Sequence, residues 1–203
     1  MLNFDKLAST RVAVDPYPHL VLKEAIMPQY AGELVHDFPR VDHPGSIPIS
    51  DVQYGKAFTS LLQDLHSDRF RGAMQKLFDT ALDNAPILTT VRGRMRKKDG
   101  RIHTDSANKL LTVLVYFNRN WENDGGYLRI LRNGKNLEDY VAEIPPMFGT
   151  MVAFKVTDNC WHGHYPVVGE RLSLQMNYLV DDKAYAHFQG IHKISSSLKK
   201  LFG

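Results

Sequence analysis

Residues 101–118 read RIHTDSANKLLTVLVYFN, so a His-x-Asp pair stands directly before a long apolar run that predicts a strand. In an extended strand, residues i and i+2 point to the same face, so the side chains of His103 and Asp105 can reach one metal ion. We take His162, far along the chain, as the third ligand. The stretch therefore predicts a metal site whose frame is the beginning of this strand.

The ligand types indicate which metal the site would hold. Two imidazole nitrogens and one carboxylate on one face of an octahedron leave the remaining positions open, as in non-haem Fe(II) oxygenases.

The composition is that of a soluble globular protein. Hydrophobic residues make up 43% of the 203 residues and charged residues 23%, which argues against disorder, collagen-like repeats and coiled coils. The length predicts a single domain over 1–203. The one cysteine, Cys160, cannot form an intrachain disulfide, which favours a reducing, cytoplasmic setting. Because the net charge is only +3, no nucleic-acid partner is expected. Because the sequence has no long apolar stretch, no membrane partner is expected either. The oligomeric state stays open.

Periodicity divides the chain into three parts. Residues 18–26, PHLVLKEAI, predict a short strand. Apolar residues follow helical spacing after Pro28, over 58–65 and over 70–78, so residues 1–85 are predicted to be mainly helical. Residues 86–180 form short apolar or alternating runs between Gly, Pro, Asn and Asp, which predict a sandwich or jelly roll. Residues 181–203 are predicted to end in a helix.

The last predicted strand alternates between polar and apolar residues. The polar set is Arg171, Ser173, Gln175 and Asn177. This face meets water if the sheet lies at the surface, or it lines a ligand-holding cavity if the strands form a jelly roll.

Four segments together resemble one family. They are His103-Thr104-Asp105, YFNRNWENDGGYLRIL, PPMFGTMVAF and WHGHYPVVGER. In this order the segments resemble the prolyl-4-hydroxylase-like branch of the Fe(II)/2-oxoglutarate-dependent oxygenases over about residues 90 to 180. The resemblance implies an α+β, mainly β fold: a double-stranded β-helix (jelly roll) core with supporting N-terminal helices.

The resemblance also implies roles for individual residues. His103, Asp105 and His162 would bind Fe(II). The family places the third ligand four residues before the proline of a Pro-Val pair, which selects His162 over His164 and leaves His164 to line the pocket. Arg171 follows His162 by nine residues, the offset of the family's basic residue for the far carboxylate of 2-oxoglutarate. Tyr116 and Thr112, on the same face of one strand, would assist in binding this cosubstrate, although Tyr116 could equally be an ordinary core aromatic.

The expected activity is that of a dioxygenase. It would use Fe(II), 2-oxoglutarate and O2, with ascorbate as a further candidate cofactor, to hydroxylate a C–H bond of a small-molecule or peptidyl substrate and release succinate and CO2. Because Asp105 is present, no ligand position is vacated for a halide. Two alternatives remain: a cupin-like metal-dependent hydrolase or isomerase, which would leave Arg171 without a role, and a non-catalytic jelly-roll binding module.

A basic run, RGRMRKKDGR, ends two residues before His103. Such a run is most often a solvated face, but here it leads into the first ligand strand, so it could attract an anionic substrate. The candidate substrate-pocket residues are His164, Gln175, Asn177, Arg94 and Arg96. The hypothesis is that the substrate carries phosphate or carboxylate, with Arg96, Lys97 and Lys98 raising its local concentration.

Overall fold

The main sheet has six strands and carries Thr112, Tyr116 and Arg171. In the computed structural model, which describes residues 1–191, these strands are β1 His19–Leu22, β2 Ile47–Pro48, β3 Ile87–Met95, β4 Lys109–Tyr116, β7 Met151–Lys155 and β9 Gly169–Leu179. Their order in the sheet is β1-β7-β4-β9-β3-β2, and the paired strands are antiparallel.

A smaller sheet contributes one metal-ligand candidate. It contains β5 Leu128–Leu131, β6 Tyr140–Ile144 and β8 His162–Gly163, in the order β6-β5-β8. Apolar side chains pack between the two sheets, among them Tyr17, Tyr116, Ile130 and Phe154. Two antiparallel sheets with short helices at the N-terminal side confirm the predicted jelly roll.

Helices cover the outer face of the main sheet. They are α1 Phe4–Ser9, α2 Ala31–His36, α3 Lys56–His66 and α4 Asp68–Phe78, with single turns of 3-10 helix at Pro28–Tyr30 and Ile49–Asp51. In α3 the buried residues Phe58, Leu61 and Leu65 recur at helical spacing and pack in the same core as apolar residues of β4 and β9. Ser67 ends α3 and begins α4, because its side chain accepts a hydrogen bond from the Phe70 N–H.

The polar face of β9 points into the molecule. Arg171, Ser173 and Asn177 are all buried, whereas the alternate residues Leu174 and Met176 pack in the core beneath the helices. Of the two alternatives left by the alternation, the one in which this face meets water is therefore wrong. The sheet is covered on both sides, and its polar face lines the interior of the jelly roll.

The structure confirms the short strand predicted over 18–26, as β1, and corrects two other details. β2 lies within the predicted helical region yet pairs with the main sheet. His103 forms an isolated bridge and Asp105 lies in a loop, so the His-x-Asp segment is not an extended strand. Residues 182–191 are helical, and the rest of the predicted C-terminal helix lies outside the described residues.

No helix of the described chain is long and apolar enough to cross a membrane.

Candidate metal and cosubstrate site

His103 and His162 lie opposite each other on two neighbouring antiparallel segments of the chain. The backbone N–H of His103 donates to the carbonyl of His162, and the N–H of His162 donates back to His103, each at 3.0 Å. Residues that exchange both hydrogen bonds lie directly opposite each other, and the two imidazole centroids are 4.3 Å apart. A short antiparallel bridge thus brings together side chains that are far apart in sequence.

In both imidazoles the Nδ1 nitrogen forms a hydrogen bond with a backbone carbonyl. Nδ1–H of His103 donates to the carbonyl of Arg101 at 2.9 Å, and Nδ1–H of His162 donates to the carbonyl of Cys160 at 2.8 Å. A carbonyl oxygen can only accept, so Nδ1 carries the proton and Nε2 keeps its lone pair. Burial and the neighbouring His103 lower the pKa of His162 to about 4, which keeps this imidazole neutral.

Side chains of β4 position the Asp105 carboxylate. Lys109 Nζ lies 3.0 Å from Oδ1, and the Thr112 hydroxyl donates to Oδ2 and also contacts Asn177 Oδ1 at 3.0 Å. Burial raises the pKa of Asp105, but Lys109, His162 and Thr112 outweigh burial and hold the pKa below its ordinary value. Asp105 is therefore an anion, fixed by β4 although it lies in a loop itself.

Together these residues form a candidate metal site. One ligand atom from each of His103, Asp105 and His162 lies within 4.8 Å of the other two. Two free imidazole nitrogens and an ionised carboxylate are suitable donors for Fe(II), and three protein ligands leave positions for other molecules. The donor set thus fits the metal predicted from the sequence.

Arg171 is a buried cation with neutral partners. It is 6% exposed; its Nε donates to the carbonyl of Gly126 at 3.1 Å and its Nη2 to the hydroxyl of Tyr116 at 3.3 Å. Among the described residues no carboxylate forms an ion pair with it. Buried charges are usually paired, so this guanidinium is suited to an anionic ligand such as the far carboxylate of 2-oxoglutarate.

The turn after β4 helps to position Arg171. Gly126 has φ +82°, and a Cβ at this residue would lie 2.6 Å from the Trp121 ring, so only glycine fits there. Trp121 Nε1 donates to the carbonyl of Gly125 at 2.9 Å. Asn118 accepts the Leu172 N–H at 2.8 Å. The turn thereby aims the Gly126 carbonyl at Arg171.

His164 lies beside Arg171 and outside the group of metal-ligand candidates. Its backbone N–H donates to the carbonyl of Gly100 at 2.8 Å, and Gly100 packs against its ring. Burial and the nearby Arg171 lower the pKa of His164 to about 4, so the ring is neutral. A neutral imidazole here adds no positive charge beside Arg171.

The other candidate residues fall in three places. Gln175 Nε2 donates to Asn177 Oδ1 at 3.2 Å on the inner face, so both belong to the polar lining. Arg96 lies in the loop above the site, paired with Asp99. Arg94 is exposed and lines a separate cleft with Phe38 and Glu170, so the structure does not bring it to the metal-ligand candidates.

Two residues near the candidate site, Lys109 and Arg92, were not predicted from the sequence. Lys109 contacts Asp105 at a spacing of four residues, and an Asp-x-x-x-Lys pattern was available in the sequence as a signal. Arg92 is part-buried in β3, and its location depends on the pairing of β3 with β9, for which the sequence carries no local signal.

Comparisons with known proteins agree with this geometry. Residues 90–179 match the model of the 2OG-Fe(II) oxygenase superfamily, and this range includes every residue of the candidate site. Among curated proteins no significant match to the chain is found. The match confirms the resemblance to the Fe(II)/2-oxoglutarate-dependent oxygenases that the sequence predicted over about residues 90 to 180, and with it the prediction of an enzyme.

Solved structures of prolyl hydroxylases share the fold. A prolyl-4-hydroxylase from Pseudomonas putida is 20% identical with a TM-score of 0.58, covering 87% of this chain and 90% of its own. A viral collagen prolyl hydroxylase from Paramecium Bursaria Chlorella virus-1 is 13% identical with a TM-score of 0.53, covering 85% and 96%. A prolyl 4-hydroxylase from Phytophthora capsici is 15% identical with a TM-score of 0.56, covering 88% and 66%. The predicted likeness to the prolyl-4-hydroxylase-like branch is confirmed at the level of the fold.

Proposed function

We propose that the protein hydroxylates a C–H bond of a small-molecule or peptidyl substrate and converts 2-oxoglutarate and O2 into succinate and CO2. One observation carries the proposal: a buried arginine without a carboxylate partner in the described chain lies in the same interior as two histidines and an aspartate that can bind a metal. A cupin-like hydrolase or isomerase would use the metal-ligand candidates but leave Arg171 without a role. A non-catalytic binding module would not need three metal-ligand candidates in the same interior as this arginine.

Each residue of the site has a physical task in this proposal. His103, Asp105 and His162 hold Fe(II), which supplies the O2 chemistry when bound. Lys109 and Thr112 keep the Asp105 carboxylate oriented and ionised.

Arg171 and Tyr116 bind the far carboxylate of 2-oxoglutarate and so fix how far the cosubstrate reaches toward the metal. The pKa of Tyr116 is raised because the residue is fully buried, so its phenol stays protonated and donates a hydrogen bond to that carboxylate. The jelly roll excludes bulk water from these contacts, which strengthens them.

The fold likeness indicates which substrate to test first. The printed names of the neighbouring structures are those of prolyl hydroxylases, so a prolyl residue in a peptide is the first substrate to test. Because Asp105 fills the carboxylate position, hydroxylation is the expected outcome rather than halogenation.

The test is turnover by enzyme reconstituted with Fe(II), with and without ascorbate. Succinate is measured after O2 is added in the presence of prolyl peptides, free amino acids or other small molecules. The proposal predicts succinate formation that depends on Fe(II), 2-oxoglutarate and O2, and a product heavier by one oxygen atom. Asp105→Ala is the inactive control. Activity with zinc alone, on a hydrolysable or isomerisable substrate and without 2-oxoglutarate, would contradict the proposal.

A further inference from the structure

A second guanidinium faces the interior next to Arg171. Arg92 of β3 pairs with Ser173 of β9, and Ser173 in turn pairs with Tyr116 of β4. Directly paired residues of antiparallel strands point to the same face. Arg92 therefore lies in one row with Ser173 and Tyr116, and Arg171 contacts the Tyr116 hydroxyl at the end of this row.

The environment of Arg92 is that of a part-buried cation. Its side chain is 28% exposed, and its Nη2 donates to the hydroxyl of Ser46 at 3.1 Å. Burial lowers the pKa of Arg92, and the neighbouring Arg171 and Arg96 lower it further because like charges repel. An anion between these groups would relieve this repulsion.

One carboxylate serves both Arg92 and Arg96. Asp99 Oδ2 is 3.9 Å from Arg92 Nη1, and Asp99 Oδ1 is 3.4 Å from Arg96 Nη2. His164, which lies among these groups, is neutral. Three guanidinium groups therefore stand against one carboxylate in this part of the described chain. After the far carboxylate of 2-oxoglutarate pairs with Arg171, one positive charge is still unbalanced.

Arg96 also has an unused donor. Its Nε is buried and has no hydrogen-bond partner in the described chain, although the side chain as a whole is 42% exposed. A buried N–H without an acceptor costs free energy, and an oxyanion that enters from the mouth of the barrel would satisfy it. Lys97 and Lys98 of the same loop are exposed, so the basic run is divided between inward and outward residues.

We infer that Arg92 and Arg96 form a second oxyanion-binding site beside Arg171, and that it takes a carboxylate or phosphate group of the substrate while 2-oxoglutarate is bound. The inference rests on the proposed function, since it assigns Arg171 to the cosubstrate. Such a site would hold the substrate by its anionic group and set which C–H bond faces the metal.

The test is binding of sulfate, a tetrahedral analogue of phosphate, and of acetate to the anaerobic Fe(II) enzyme at saturating 2-oxoglutarate and low ionic strength, by isothermal titration calorimetry. We expect one anion to bind with the cosubstrate in place. The double variant Arg92→Gln/Arg96→Gln should weaken this binding by about tenfold or more and leave the affinity for 2-oxoglutarate unchanged. Comparison of the two anions shows whether the site prefers a tetrahedral or a planar oxyanion.

Three further variants keep the test decisive. Lys97→Gln/Lys98→Gln removes the same charge from the outside of the loop and should leave anion binding nearly unchanged. Asp99→Asn removes the competing carboxylate and should tighten anion binding. Arg92→Lys keeps the positive charge and should retain anion binding. This variant serves as the control if Arg92→Gln disturbs folding.

Two results would overturn the inference. If 2-oxoglutarate displaces the anion competitively, Arg92 and Arg96 belong to the cosubstrate site. If the lysine double variant weakens binding as much as the arginine one, the anion responds to diffuse surface charge. A failure of the proposed function is separately visible, because the enzyme would then not bind 2-oxoglutarate at all.

Discussion

Replacing Arg171 with glutamine should sharply weaken 2-oxoglutarate binding. The guanidinium is 6% exposed, and its nearest polar partners, the Gly126 carbonyl and the Tyr116 hydroxyl, are neutral. An ion pair with the cosubstrate would therefore be desolvated, and losing one partner of such a pair costs about 2–5 kcal/mol. At about 1.4 kcal/mol per tenfold change, this corresponds to a loss of affinity of roughly 30- to 4,000-fold.

The assay is anaerobic titration of 2-oxoglutarate into the Fe(II)-loaded variant, with iron affinity measured separately in the absence of cosubstrate. Iron binding should be nearly unchanged, because Arg171 is not among the metal-ligand candidates. Arg132→Gln is a matched control: this arginine is 46% exposed, it pairs with Asp15 on the surface, and its loss should not affect 2-oxoglutarate binding.

An exposed ion pair contributes about 0.2–1 kcal/mol, or less than about sixfold in affinity. A loss this small in Arg171→Gln would mean that the guanidinium does not hold the cosubstrate in a desolvated pocket.

Four other changes probe the rest of the site and the fold. Thr112→Val removes the hydroxyl that orients Asp105 and should lower iron affinity about 10- to 100-fold, with Thr112→Ser as the control that restores it. Asp105→Ala should abolish 2-oxoglutarate turnover, measured as succinate, because it removes the one anionic ligand candidate. His162→Ala should lose iron while His164→Ala retains it, by equilibrium dialysis; the opposite result would contradict the ligand assignment. Burial lowers the pKa of His66, so the unfolded state binds more protons; the free energy of unfolding should fall as pH drops below about 6.5, and less so in His66→Asn.

Local periodicity was sufficient to predict most of the elements. The alternation in β9 and the apolar runs of β4 and β7 are visible residue by residue, and the helical spacing in α3 and α4 places their buried faces. These patterns depend on near neighbours, which the sequence records directly. The predicted jelly roll followed from them.

Long-range pairing was not predictable in the same way. The two-residue strand β2 carries little signal of its own, and the sequence predicts the strand β1 but not its partner. Both strands join the main sheet through partners far along the chain. An irregularity in the pairing of β3 with β9 lies between Arg92 and Arg94. Arg92 faces the interior, whereas Arg94 lines the cleft beside Phe38, so the two arginines take different environments despite their spacing.

The site shows the same division. His103, Asp105 and His162 could be selected from motifs, but the structure alone reveals that a backbone bridge brings the histidines together. Asp105 lies in a loop that forms no backbone pairing with a strand. Its side chain is held instead by hydrogen bonds from Lys109 and Thr112. Side-chain support of this kind depends on tertiary contacts that a sequence pattern does not record.

The assignment of this site is tested most directly by the visible charge-transfer band that forms when Fe(II) and 2-oxoglutarate bind together without O2. We expect the band only when both are present, no band in Asp105→Ala, and a need for far more 2-oxoglutarate in Arg171→Gln. Iron binding without any such band, or a band unchanged in Asp105→Ala, would contradict the assignment of this site.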